Sequence, residues 1–123
     1  MLNPMNIKKF IICNNEKSLT INFVNGETAC LPFEYLRVFT PQLNNAAKQK
    51  TLVTHKKSVA LSAIENVGKH GYRFIFDDQH NAIYTFEYLT LLIKEHKQRW
   101  QKYLEELKAS GHSREAMINI TQL

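Results

Sequence analysis

Asp77, Asp78 and His80 fall within four positions of one another in the stretch FDDQHNAIYTFEYL, residues 76–89. Carboxylates and an imidazole at that spacing suit iron, zinc or manganese. A pair of carboxylates could also do general acid–base chemistry, provided a cleft splits their pKa values. On a strand, however, adjacent side chains point to opposite faces, so Asp77 and Asp78 make a poor catalytic pair. A turn offers a plainer role, because an aspartate there bonds nearby backbone. Asp78 and His80 are the metal-ligand candidates, and no residue is expected to be catalytic.

Other chemistries are absent from the sequence. The four glycines are scattered and form no phosphate-binding loop, and no Gly-x-Ser-x-Gly occurs. A non-haem iron oxygenase needs a His-x-Asp/Glu pair. The residues after the five histidines read KK, GY, NA, KQ and SR, and none supplies the acid. His96 lies on an apolar helical stripe, where a core-edge role is expected.

The elements that position the turn can be read from periodicity. Residues 7–13, IKKFIIC, form a short strand. Leu19, Ile21 and Phe23 alternate with Thr20 and Asn22, a period of two that marks a half-buried strand. Asn25-Gly26 signals a hairpin with a type I′ turn, and ETACL returns as its partner. Pro32 ends that strand and opens a short helix, FEYLRVF, which Pro41 closes. Residues 40–57 read as a long, mobile loop with a brief strand at Leu52-Val53. Val59, Leu61, Ile64 and Val67 suggest a strand, and Gly-Lys-His-Gly a turn. Tyr72, Phe74 and Phe76 mark another strand, and AIYTF follows the DDQHN turn. The period then changes: Leu89, Leu92, Ile93, His96, Trp100, Tyr103, Leu104 and Leu107 recur at three and four, giving one long helical face. Thr85 is placed to cap this helix, Glu95 and Arg99 to pair on it, and Gly111 to end it. The layout is α+β, a small antiparallel sheet with a short helix after the first hairpin and one long amphipathic C-terminal helix packed on it. One domain over residues 1–123 is expected, with its core at about 7–110 and a loose tail at 111–123.

Charge is uneven. The chain carries a formal +5. Between Arg37 and Arg73 lie seven basic residues and one acid, Glu65, so this segment holds +6 and the remainder −1. An acidic partner surface would be attracted there, with Arg37, Lys56, Lys57 and Arg73 as the contact residues. The loop KQKTLVTHKK lacks the aromatic interleaving of a nucleic-acid binder, and none is expected. Cys13 and Cys30 belong to no C-x-x-C pair and are read as buried free thiols of a cytoplasmic protein. Neither a signal-peptide core nor a membrane span is present in the pattern.

Three stretches carry a family resemblance: LTINFVNGETACLPFEYLRVFTP (19–41), YRFIFDDQHNAIYTFEYL (72–89) and WQKYLEELKASGHSR (100–114). Over about residues 18–114 the chain resembles the γ-butyrobetaine hydroxylase-like N-terminal domain, a family long described as a domain of unknown function. The resemblance implies a small α+β domain. In the carnitine-synthesis hydroxylases such a domain precedes an oxygenase domain, which has no counterpart in these 123 residues. There the small domain holds zinc through a Cys-Pro-Cys-x-x-Cys run and the histidine of the turn. The matching positions here are Thr40, Pro41, Gln42 and Asn45, with His80. One imidazole without thiolates cannot make a tetrahedral zinc site. No cofactor is expected, weak iron or zinc at His80 and Asp78 being the one alternative. Stand-alone bacterial members look similar, and the same module ends a plant-type iron–sulfur scaffold ATPase. The resemblance therefore implies a non-enzymatic adaptor whose partner belongs to iron–sulfur assembly or iron handling.

Overall fold

The computed structural model describes residues 7–41, 56–68 and 71–111. Residues 42–55, with the brief strand read at Leu52-Val53, Lys69 and His70 of the Gly-Lys-His-Gly turn, and the tail after Gly111 fall outside those ranges. Strand β1 is Ile7–Cys13, β2 Ser18–Phe23 and β3 Thr28–Pro32. Helix α1 is Phe33–Val38, followed by β4 Leu61–Val67, β5 Gly71–Phe76 and β6 Asn81–Thr85. Helices α2, Phe86–Lys94, and α3, His96–Ser110, complete the order. The fold is α+β, as expected, but its strands form two antiparallel sheets of three, β1-β2-β3 and β4-β5-β6.

Period two does what it should. Leu19, Ile21 and Phe23 are buried, as are Phe74 and Phe76 on β5. Phe10 of β1 meets Tyr72 of β5 edge-on with ring centroids 5.0 Å apart, joining the sheets. One apolar cluster then runs through both sheets, α1 and α2.

The first hairpin forms where Asn25-Gly26 places it, with a different turn. Gly26 has φ +96°, and Asn25 does not share the positive φ that a type I′ turn demands. Gly26 N–H donates to Phe23 O, and Phe23 N–H to Glu27 O. This is a three-residue loop in which the glycine alone is left-handed. The Asn25 side chain accepts from Glu27 N–H at 2.9 Å instead of bending its own backbone.

Pro32, extended at ψ 147°, precedes the first residue of α1. Thr85 accepts from Tyr88 N–H, and Gly111 at φ 78° ends α3, both as read from sequence. The single long helix is divided at Glu95, whose φ −101° and ψ 17° leave the helical well. The Leu92 carbonyl, which a continuous helix would give to His96 N–H, receives the Tyr35 hydroxyl at 2.7 Å. A side chain entering the backbone ladder is a recognised cause of such a break. The apolar stripe survives it, with Leu89, Leu92, Tyr103 and Leu107 buried.

The cysteines depart from expectation in one respect. Both are free, but Cys30 is exposed and Cys13 half-exposed. The pairing Ile11↔Thr20↔Cys30 puts both thiols on the outer face of the first sheet. Two strand spacings and a two-residue offset put their Cα atoms about 12 Å apart, beyond the reach of a disulfide.

Candidate functional site

The β5–β6 turn, residues 77–80, is built by bonds that its sequence only partly announces. Phe76 N–H donates to His80 O at 2.9 Å, closing the hairpin. Gln79 takes φ 69°, the left-handed conformation the tight loop requires. Asp77 Oδ1 accepts from Ala60 N–H at 3.0 Å, and Asp77 N–H donates to Ala60 O, so the turn is tied to the residue before β4. Asp78 Oδ1 accepts from His80 N–H, the local backbone bond typical of an aspartate in a turn.

The other oxygen of Asp78 reaches across the sequence. Arg37 Nε, in the last turn of α1, lies 2.8 Å from Oδ2. Lys56 Nζ lies 2.7 Å from the same atom. Burial alone would push the Asp78 carboxyl up, but the hydrogen bonds and charges of Lys56 and Arg37 outweigh it and hold the carboxyl below its ordinary value. His80 Nε2 is 2.9 Å from Thr40 Oγ1. Burial, aided by the Arg37 charge, lowers the His80 pKa against the opposing pull of Asp78, so the ring is neutral near pH 7.

Three tyrosines hold α1 in reach of this turn. Tyr84 of β6 donates its hydroxyl to Leu36 O, Tyr88 of α2 to Phe39 O at 2.8 Å, and Tyr35 to Leu92 O. The carbonyls at the end of a helix have no partner within it, and the first two bonds satisfy them from outside. Burial pushes the phenols of Tyr35 and Tyr84 far up, keeping them as donors.

Arg37, Lys56, Asp78, His80 and Thr40 are therefore brought together. Arg73 is not: it sits about 10 Å up β5 from the turn and faces Glu65 across the strands at 3.5 Å. Lys57 is exposed beside Lys56. Gln42 and Asn45 lie outside the described residues. Sequence reading named Asp78 and His80 as ligand candidates and the cations as a separate surface; the structure brings Arg37 and Lys56 onto Asp78 as well. Among the described residues, no group of three or more His, Cys, Asp or Glu side chains is placed to hold a metal. A divalent cation on Asp78 Oδ2 and His80 Nε2 would have to displace Arg37, Lys56 and Thr40 and then sit beside two positive charges. Among the described residues, the donors that surround the turn do not make a tetrahedral zinc site. No helix among the described residues is long and apolar enough to cross a membrane.

The geometry defines a small α+β domain whose conspicuous polar turn is locked to its first helix. The family model described as gamma-butyrobetaine hydroxylase-like, N-terminal, matches residues 12–90. The chain belongs to that family, the one its three stretches resemble. A protein solved in solution by NMR is similar over 98% of this chain and 92% of its own, with 32% identity and a TM-score of 0.80. A second NMR structure gives 28% identity and a TM-score of 0.80 over 98% of each chain. A crystal structure from Acidithiobacillus ferrooxidans, of a protein with unknown function in the DUF971 family, is 29% identical. It covers 74% of this chain and 97% of its own at a TM-score of 0.61. No curated protein matches the chain.

Proposed function

We propose that this protein is a non-enzymatic interaction module of the cytoplasm that presents a basic face to an acidic protein partner. One observation carries the reading: Arg37 and Lys56 converge on a single carboxylate oxygen of Asp78, so two cations meet at one carboxylate beside the turn. Lys57 lies exposed next to Lys56 in the chain. The acids of the turn are committed to internal bonds, which supports scaffolding over chemistry. The free thiols fit a reducing compartment. The connection to iron or iron–sulfur handling is carried by the resemblance to modules found in that company.

The test is a titration followed by backbone amide NMR, with a capped tetraglutamate peptide and, separately, with Fe(II) and Zn(II). Saturable shifts around Lys57 and Arg73 with the peptide, lost in Lys57→Glu/Arg73→Glu, are expected. Lys56→Glu is a poorer probe, because it places a second carboxylate against Asp78. Metal-induced shifts centred on Asp77–Asn81 and Thr40 at micromolar metal, abolished in His80→Ala, would instead make the domain a weak iron or zinc binder. Silence in both titrations would remove the basic face from the account.

A further inference from the structure

A second surface lies on the first sheet and carries the opposite charge. β3 pairs with β2 alone, so its other side is an open sheet edge among the described residues. The bonds from Phe23 N–H to Glu27 O and from Phe33 N–H to Lys17 O fix which residues of β3 face inward. Hydrogen-bonded pairs alternate in an antiparallel ladder. Ala29 and Leu31 therefore bond to β2, and the N–H and C=O groups of Thr28 and Cys30 point away from the sheet. Pro32, with no N–H, closes the edge at one end.

Beside that edge runs a groove of about 540 Å³ between β3 and α2. Phe23, Ala29, Phe86 and Leu91 give it an apolar lining, and Leu91 is 37% exposed. Its volume is in the range of sites that take a small ligand or a few side chains. Glu27 and Glu87 line it, and Lys94 stands about 10 Å along α2 from Glu87. The titrating side chains of the groove thus sum to −1 in a chain of +5.

We infer that β3 is a strand-addition site for an extended peptide segment with an aliphatic side chain flanked, at positions two away, by lysine or arginine. Backbone groups of Thr28 and Cys30 hold the segment by the pairing that joins strands within a sheet. Alternation sends every second side chain to one face. The aliphatic group enters the groove against Leu91 and Phe86, and the flanking cations meet Glu27 and Glu87. This goes beyond the basic face and is independent of it, since the two surfaces select partners of opposite charge.

The test uses two capped pentapeptides, Lys-Thr-Val-Thr-Lys and Glu-Thr-Val-Thr-Glu, added to the full chain and followed by backbone amide NMR. The lysine peptide is expected to shift Thr28, Cys30 and Leu91 saturably, with Kd near or below about 1 mM. The glutamate peptide is expected to bind at least about tenfold more weakly. In Glu27→Lys/Glu87→Lys, substitutions of exposed side chains, the preference should reverse. Equal response to both peptides, no saturable response, or shifts at Thr28 and Cys30 that depend on protein concentration alone would each overturn the inference. The last would assign the edge to a second copy of the chain. Shifts confined to Lys57 and Arg73 with the glutamate peptide would overturn it while sparing the basic face.

Discussion

Arg37 and Asp78, 41 residues apart, meet at 2.8 Å and join the first helix to the turn of the second sheet. Lys56 arrives at the same oxygen from a third segment. The side chains of all three are at most one-quarter exposed, so the contact is only partly screened by water. Replacing Asp78 with Asn keeps an acceptor for His80 N–H but leaves two cations without their anion. A loss of about 2 kcal/mol in urea unfolding is expected. Because the folded carboxyl titrates below its unfolded value, its stabilisation is complete above about pH 4 and disappears as pH falls through the folded pKa. Asp78→Asn should therefore flatten the acid limb of the stability curve, and an unchanged limb would show that the pair contributes nothing.

The histidines give a second pH signature of a different origin. Burial lowers the pKa of both His80 and His96. Groups that fold in the neutral form bind fewer protons folded than unfolded, so stability is full above about pH 6.5 and declines as pH drops below it. The urea midpoint should fall over that window, less so in His80→Gln/His96→Gln. Side-chain NMR titration of the two rings should give values below the ordinary histidine range.

Tyr84→Phe removes the hydroxyl that satisfies the buried Leu36 carbonyl. A cost of about 1–3 kcal/mol is expected. Tyr88→Phe, at a half-buried bond to Phe39 O, should cost less, about 1 kcal/mol. Chemical denaturation of the two variants ranks them, and equal losses would show that burial does not separate the two bonds.

Cys30 is exposed and Cys13 half-exposed, so a thiol reagent should label Cys30 first under native conditions. Oxidation of dilute protein should yield no intramolecular bridge, because the two Cα atoms lie about 12 Å apart. Mass spectrometry of oxidised, digested protein would reveal a Cys13–Cys30 peptide if the outer face of the sheet rearranged.

Gly71 begins β5 where a side chain would lie 3.0 Å from Ile83 Cγ2 and 3.1 Å from Val67 O. Gly71→Ala should destabilise by about 1–3 kcal/mol through overpacking. Gly26→Ala meets no atom within 4 Å and suffers only the strain of φ +96°, about 1 kcal/mol. Thermal unfolding of both variants distinguishes crowding from backbone strain.

What could be read from the chain was what local pattern encodes. Alternation marked β2 and β5, Asn25-Gly26 marked the hairpin, and Thr85 and Gly111 marked helix ends. The turn type was hidden because Val24 enters the loop, which lets Asn25 keep a negative φ and use its side chain instead. The division at Glu95 was hidden because its cause, Tyr35, is 60 residues away and no proline or glycine stands there. The partners of Asp78 lie 22 and 41 residues off. A signal did exist: cations crowd residues 37–57 without local acids, and an aspartate pair sits at a turn that needs only one of its carboxylates. Charge balance, more than metal spacing, was the clue to where Asp78 belongs.

Four bonds that hold α1 and its C-terminal end come from later in the chain: Asp78 to Arg37, Tyr84 to Leu36, Tyr88 to Phe39 and Leu92 to Tyr35, whereas Phe33 N–H reaches back to Lys17 O. Six residues make too short a helix to persist alone in water. During synthesis the β1–β2–β3 meander can pair as it emerges and hold the start of α1 through Phe33 N–H and Lys17 O, but the other four bonds are complete only once α2 has left the ribosome. The first helix in the chain is thus among the last parts to be fixed, and completion of the fold waits on contacts of long sequence separation.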